Sequence, residues 1–102
     1  MSGVTLDAIH EALFRINRKI RRADVHESSS LIDDLGLDSV RFVELTFALE
    51  DVFELDAFPM DEWAASEMMR AGKRFTVASL ADRVRALREK RATQPPSKND
   101  TD

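Results

Sequence analysis

Asp33-Asp34-Leu35-Gly36-Leu37-Asp38-Ser39-Val40 is the stretch where a loop becomes a helix, and its reading decides the fold. Asp38 and Ser39 are both good N-caps, because a short polar side chain accepts from the orphan N–H groups of a first turn. Helical spacing resumes directly after them. A serine at such a turn, approached by a loop that Gly36 makes flexible, has an exposed hydroxyl. The positive end of the helix favours a phosphate bound or attached there. Asp38 beside it is suited to hold a divalent cation in a transfer reaction. The plainer reading is that Ser39 is an ordinary cap, and the local sequence leaves both open.

Working forward, residues 39–53 sort into two apolar stripes at about 100° per residue. Phe42, Leu45, Leu49, Val52 and Phe53 form a core stripe. Val40, Val43 and Phe47 form a second one, with Arg41, Glu44, Glu50 and Asp51 around it. A helix apolar on two sides is either nearly engulfed or presents one side to something else. Pro59 suits the first turn of a further, shorter helix whose inner side is Met60, Trp63, Ala64 and Met68, with Gly72 as its stop. Thr76 then caps a last helix striped by Val77, Leu80, Val84 and Leu87.

Working backward, residues 22–38 lose the periodicity and read as a long loop anchored by Leu31, Leu35 and Leu37. Before it, Leu6, Ile9, Leu13, Ile16 and Ile20 step by threes and fours, predicting a first helix over residues 5–21. Thr5 caps its start, and Arg18, Lys19, Arg21 and Arg22 suit its end. From Thr93 the Gln, Pro-Pro, Ser, Lys and Asn composition predicts a disordered tail over residues 93–102, leaving residues 1–92 as one domain. The fold class is all-α: a bundle of three long helices plus a shorter third one.

Charge and composition narrow the function. The 102 residues carry a net charge of −4, but residues 31–62 hold ten acidic and one basic side chain. That middle third is expected to attract basic partner surfaces, and it excludes a basic track for nucleic acid. No apolar run reaches the ~20 residues of a membrane-spanning helix, and no secretory layout opens the chain, so the cytoplasm is the expected address; a monomer is the expected form. The absence of Cys removes disulfides, thiolate metal sites and cysteine nucleophiles. A serine hydrolase lacks parts: Arg41 stands where a nucleophile elbow needs Gly, and no strand precedes Ser39. His10, near the polar face of the first helix, and His26, in the loop, read as surface histidines. Asp33, Asp34 and Asp38 do not alternate as a calcium loop requires, so no metal site is assigned.

Asp33 to Val40, followed by Val43-Glu44-Leu45 and Ala48-Leu49-Glu50-Asp51-Val52-Phe53, closely resembles an acyl carrier protein, from the first helix to about Leu87. The resemblance implies that Ser39 bears a 4′-phosphopantetheine arm transferred from coenzyme A by a phosphopantetheinyl transferase. It implies that Asp38 helps bind magnesium in that complex, and that the arm's thiol carries an acyl or aminoacyl group as a thioester. The chain would then be a carrier without catalysis of its own, its reactive sulfur supplied by the cofactor. Glu44, Glu50 and Asp51 match acidic positions of the family's docking helix, and Val40, Val43 and Phe47 match its apolar ones. Partners would be acyl ligases, synthases or acyltransferases with basic docking patches. An acidic helical adaptor with the same fold and no arm is the alternative.

Two features depart from the common pattern. Arg41 stands where many fatty-acid carriers have an acidic or neutral residue, which alters the docking surface. Sixteen residues separate Pro59 from Thr76, about twice the usual number. That stretch is similar to the extended third-helix region of specialised carriers, one group of which delivers very-long-chain hydroxyacyl groups to lipid A. Trp63, Met68, Met69 and Phe75 are candidates for reshaping an acyl cavity, against the duller reading of a better-filled core. Specialised fatty-acid, lipid, polyketide or nonribosomal biosynthesis are the pathways in view.

Overall fold

Thr5 starts the first helix as its spacing predicts, its Oγ1 accepting from the Ala8 amide at 3.1 Å. The computed structural model describes residues 3–93, in which four α-helices follow one another: α1 (Leu6–Ile16), α2 (Ser39–Val52), α3 (Met60–Met68) and α4 (Val77–Thr93). Among the described residues the only β pairing is an isolated antiparallel bridge between Ser30 and Thr76. The all-α bundle with a shorter third helix is therefore what the chain forms. The predicted tail lies outside the described residues, apart from Thr93, which ends α4.

One core joins the elements. Ile9 and Leu13 of α1, Leu45 and Leu49 of α2, Trp63 of α3 and Val77, Leu80 and Val84 of α4 are all buried in it. Each fully buried aliphatic side chain of this kind stabilises the fold by about 1.5–3 kcal/mol. Leu31 and Leu37 are buried and Leu35 packs against the same cluster, as a long anchored loop requires.

Several sequence expectations need correction. Helix α1 stops at Ile16 rather than at residue 21, because Asn17 turns extended while its N–H still reaches the Leu13 carbonyl. Ile20 keeps the helical spacing yet is delivered to the core by the following loop, where its carbonyl meets His10 Nε2 at 2.9 Å. His10 is thus half-buried and engaged rather than a surface histidine, and Arg18, Lys19, Arg21 and Arg22 lie beyond the helix end.

Helix α3 ends at Met68, well before Gly72, and Pro59 sits at its N-cap position. Met68 points outward, while Glu67 takes the inner position and is 1% exposed. Both 67 and 68 fall on the stripe defined by Met60, Trp63 and Ala64; hydropathy favours Met68, but the hydrogen bonds at Glu67 decide.

Gly36 does not loosen the loop before α2. It takes φ +74° within a closed turn in which its N–H reaches the Ile32 carbonyl at 3.1 Å. Asp34 Oδ2 accepts from Ser30 N at 2.7 Å, and Ser30 Oγ accepts from Asp33 N at 3.1 Å. The bond from the Ser30 amide, with Lys73 behind it, holds the Asp34 carboxyl below its ordinary range. Leu31 N and Val77 N then tie this loop to the α4 entrance through Phe75 O (2.8 Å) and Ser29 O (2.9 Å).

Candidate functional site

Asp38, not Ser39, caps α2. With φ −112° and ψ −173°, Asp38 directs Oδ1 to the Arg41 amide at 3.0 Å. Ser39 is the first helical residue, is exposed, and makes no side-chain hydrogen bond among the described residues. Its hydroxyl is therefore left available at the positive end of a 14-residue helix. Asp38 is exposed as well, so its carboxylate remains within reach of a cation on an approaching partner.

A groove of about 1090 Å³ opens beside these two residues. Phe42, Val43 and Phe47 line it from α2, Met60 and Ala64 from α3, and Phe58 and Phe75 from the connecting segments. Its lining is mainly apolar. The exposed Asp38, Asp61 and Glu62 add acidic groups to that lining, while the second stripe of α2 is open to solvent: Val40 and Phe47 are each 65% exposed and Val43 is 58% exposed. The second stripe of α2 is therefore a presented surface and not packing against α3.

The acidic positions around that stripe are already engaged. Glu44 Oε1 accepts from Arg41 Nη1 at 2.8 Å, and the same guanidinium nitrogen donates to the Ile16 carbonyl at 2.8 Å. Asp51 pairs with Arg15, which also holds Glu11, and these carboxylates raise the Arg15 pKa. Glu50 is half-buried, and its Oε2 accepts from Phe58 N at 2.9 Å, closing the α2–α3 connection. Arg41, Glu44 and Asp51 remain at the surface, while Glu50 is chiefly a structural tie.

The four residues proposed to reshape a cavity separate. Met68 and Met69 face solvent, whereas Trp63 is buried in the core and Phe75 lines the groove. Behind Phe75 lies the feature that sequence reasoning missed. Glu67 Oε1 accepts from Phe75 N at 2.6 Å, and its Oε2 accepts from Ser79 Oγ at 2.6 Å and Arg70 Nε at 3.2 Å. Trp63 Nε1 donates to the same Ser79 hydroxyl at 3.3 Å. Burial pushes the Glu67 carboxyl up, but Ser79, the Phe75 amide and Arg70 outweigh it and hold it below its ordinary range. No buried side-chain N or O among the described residues lacks a partner.

Residues 15–64, which include all of α2 and the loop before it, match the family model described as the phosphopantetheine attachment site. Over this stretch the chain is similar to acyl carrier proteins. It is 38% identical over 45 residues to the acyl carrier protein AcpXL of Rhizobium etli, covering 44% of this chain and 48% of that protein. It is 48% identical over 33 residues to an acyl carrier protein of Desulforapulum autotrophicum, covering 32% and 43% respectively. The chain thus spans about half the length or less of these curated relatives. The family's prosthetic group is 4′-phosphopantetheine, and the residues at the α2 entrance fit it. An exposed, uncommitted hydroxyl stands where helix amides favour a phosphate, and an apolar groove begins next to it. No described helix is long and apolar enough to cross a membrane.

Proposed function

We propose that the chain is an acyl carrier whose attachment residue is Ser39, serving a specialised lipid, fatty-acid or related biosynthetic pathway. The carrying observation is that Asp38 takes over the capping of α2, which leaves Ser39 Oγ exposed at the mouth of the groove. When bound, the arm supplies a thiol on which an acyl group rides as a thioester. The chain's own residues do the rest. Ser39 anchors the phosphate at the helix N-terminus, Asp38 offers a carboxylate to a magnesium ion in the transferase complex, and the groove shelters apolar cargo from water.

Partner enzymes, a phosphopantetheinyl transferase first among them, meet Val40, Val43 and Phe47, with Glu44 and Asp51 as the charges at the edge. Arg41 and Arg15 compete with a partner's basic residues for those carboxylates. Docking therefore leans on the apolar stripe, with a charge component that salt weakens. The extended segment between Pro59 and Thr76, which supplies Phe75 to the groove, supports a specialised cargo. The cytoplasm, where coenzyme A and the transferase would be met, is the proposed compartment, with a monomer as the working form.

The test uses intact masses. Incubation with coenzyme A, magnesium and a broad-specificity transferase is expected to add one arm. Subsequent acylation is expected to add one acyl group that neutral hydroxylamine removes, as a thioester requires. An unchanged mass, with the transferase shown active on another carrier, would instead make the chain an acidic helical adaptor.

A further inference from the structure

We propose that Phe75 is the specificity-determining residue that sets how long an acyl chain the groove accepts, an inference that rests on the carrier reading above. Three observations meet at this residue. Its backbone adopts φ +57°, a left-handed conformation in which a bulky side chain is an outlier and glycine is at ease. Such outliers persist where the surroundings over-determine them, and they gather at functional sites. Here both backbone groups are clamped: the N–H donates to Glu67 Oε1 at 2.6 Å, and the carbonyl accepts from Leu31 N at 2.8 Å. A costly aromatic residue is thus held rigidly between α3 and the loop that leads to Ser39.

The ring explains what the position is for. Phe75 lines the groove and meets Phe42 edge-on at 5.7 Å and Trp63 at 5.5 Å and 88°. Trp63 is 1% exposed and does not line the groove, so the Phe75 ring stands between the groove and the indole. Phe75 therefore closes the groove on the side facing Trp63. A chain tethered at Ser39 and lying in the groove meets this ring, and removing the ring frees its volume against Phe42 and the indole. The cargo class is an unbranched or lightly substituted acyl chain that ends at Phe75.

The experiment reads stability against chain length on the full chain armed at Ser39, with butanoyl, octanoyl, dodecanoyl, hexadecanoyl and octadecanoyl groups. Each methylene that enters the groove raises the folded-to-unfolded ratio about fourfold, and methylenes left in water add nothing. The native protein is expected to gain stability with length and then reach a plateau. Phe75→Gly suits the backbone conformation and removes the ring, so its plateau is expected later by several methylenes. Phe75→Leu moves it later by less, which keeps the test decisive should the glycine variant fold poorly. Identical plateaus in native protein and a folded Phe75 variant overturn the assignment while leaving the carrier reading intact. Failure of the native chain to take the arm or the acyl group overturns both.

Discussion

Replacing Glu67 with Ala should destabilise the fold by about 3 kcal/mol, although the substitution removes a charge from the interior. Glu67 is 1% exposed and serves three donors, and their fates differ. The Phe75 amide, held in a buried loop, loses its acceptor outright, which costs roughly 1–3 kcal/mol. The Ser79 hydroxyl can turn back to a carbonyl of its own helix, so its loss is small. Arg70 has a 48% exposed side chain and rehydrates, so the ion pair as such adds little. Lost packing of the side-chain methylene adds about 0.8 kcal/mol. For a domain of this size the total corresponds to ~12–24 °C in melting temperature. The chain's single tryptophan, Trp63, is buried and bonded to Ser79, so its fluorescence during urea unfolding reports both global stability and this network. A loss below about 1 kcal/mol with unchanged Trp63 emission would refute the claim that the carboxylate holds the α3–α4 segment in place.

Asp38→Ala should cost about 1 kcal/mol through the lost cap and, beyond that, slow arm transfer, as transferase kinetics on the folded variant would reveal. Val43→Ser combined with Phe47→Ser should leave stability within about 0.5 kcal/mol, because both residues are exposed, yet should raise the KM of partner enzymes. Acid should act through Glu67: since folding depresses its pKa, its contribution is complete above the ordinary glutamate value, about 4.3, and fades as pH falls through that value toward the folded one. Urea midpoints measured down that range should fall more steeply for the native chain than for Glu67→Gln, and parallel curves would exclude the carboxylate as the cause.

The α2 entrance was legible because everything that makes it is local. Asp38 and Ser39 are cap residues at a periodicity change, and the two stripes of α2 follow from spacing alone. Pattern could not say which of the two caps the helix, since the choice depends on whether Asp38 Oδ1 or Ser39 Oγ meets the Arg41 amide. The end of α1 was misjudged because Ile20 mimics helical spacing after the chain has turned at Asn17. Long-range polar pairs were invisible for the same physical reason: nothing near Asp51 signals Arg15, and nothing near Glu44 indicates that Arg41 also reaches back to Ile16. Glu67 was the hardest. A carboxylate on an apolar stripe reads as a surface residue until Ser79 and the Phe75 amide, both distant in sequence, are brought to it by the fold.

Fragmentation mass spectrometry of the armed protein tests the central claim most directly, because it locates the modification on a residue. The account predicts that the added mass, with its characteristic loss of the pantetheine portion, maps to Ser39 alone and that Ser39→Ala stays unmodified. Mapping to another hydroxyl, such as Ser28 in the preceding loop or Ser66 on α3, or an arm still gained by Ser39→Ala, would contradict it.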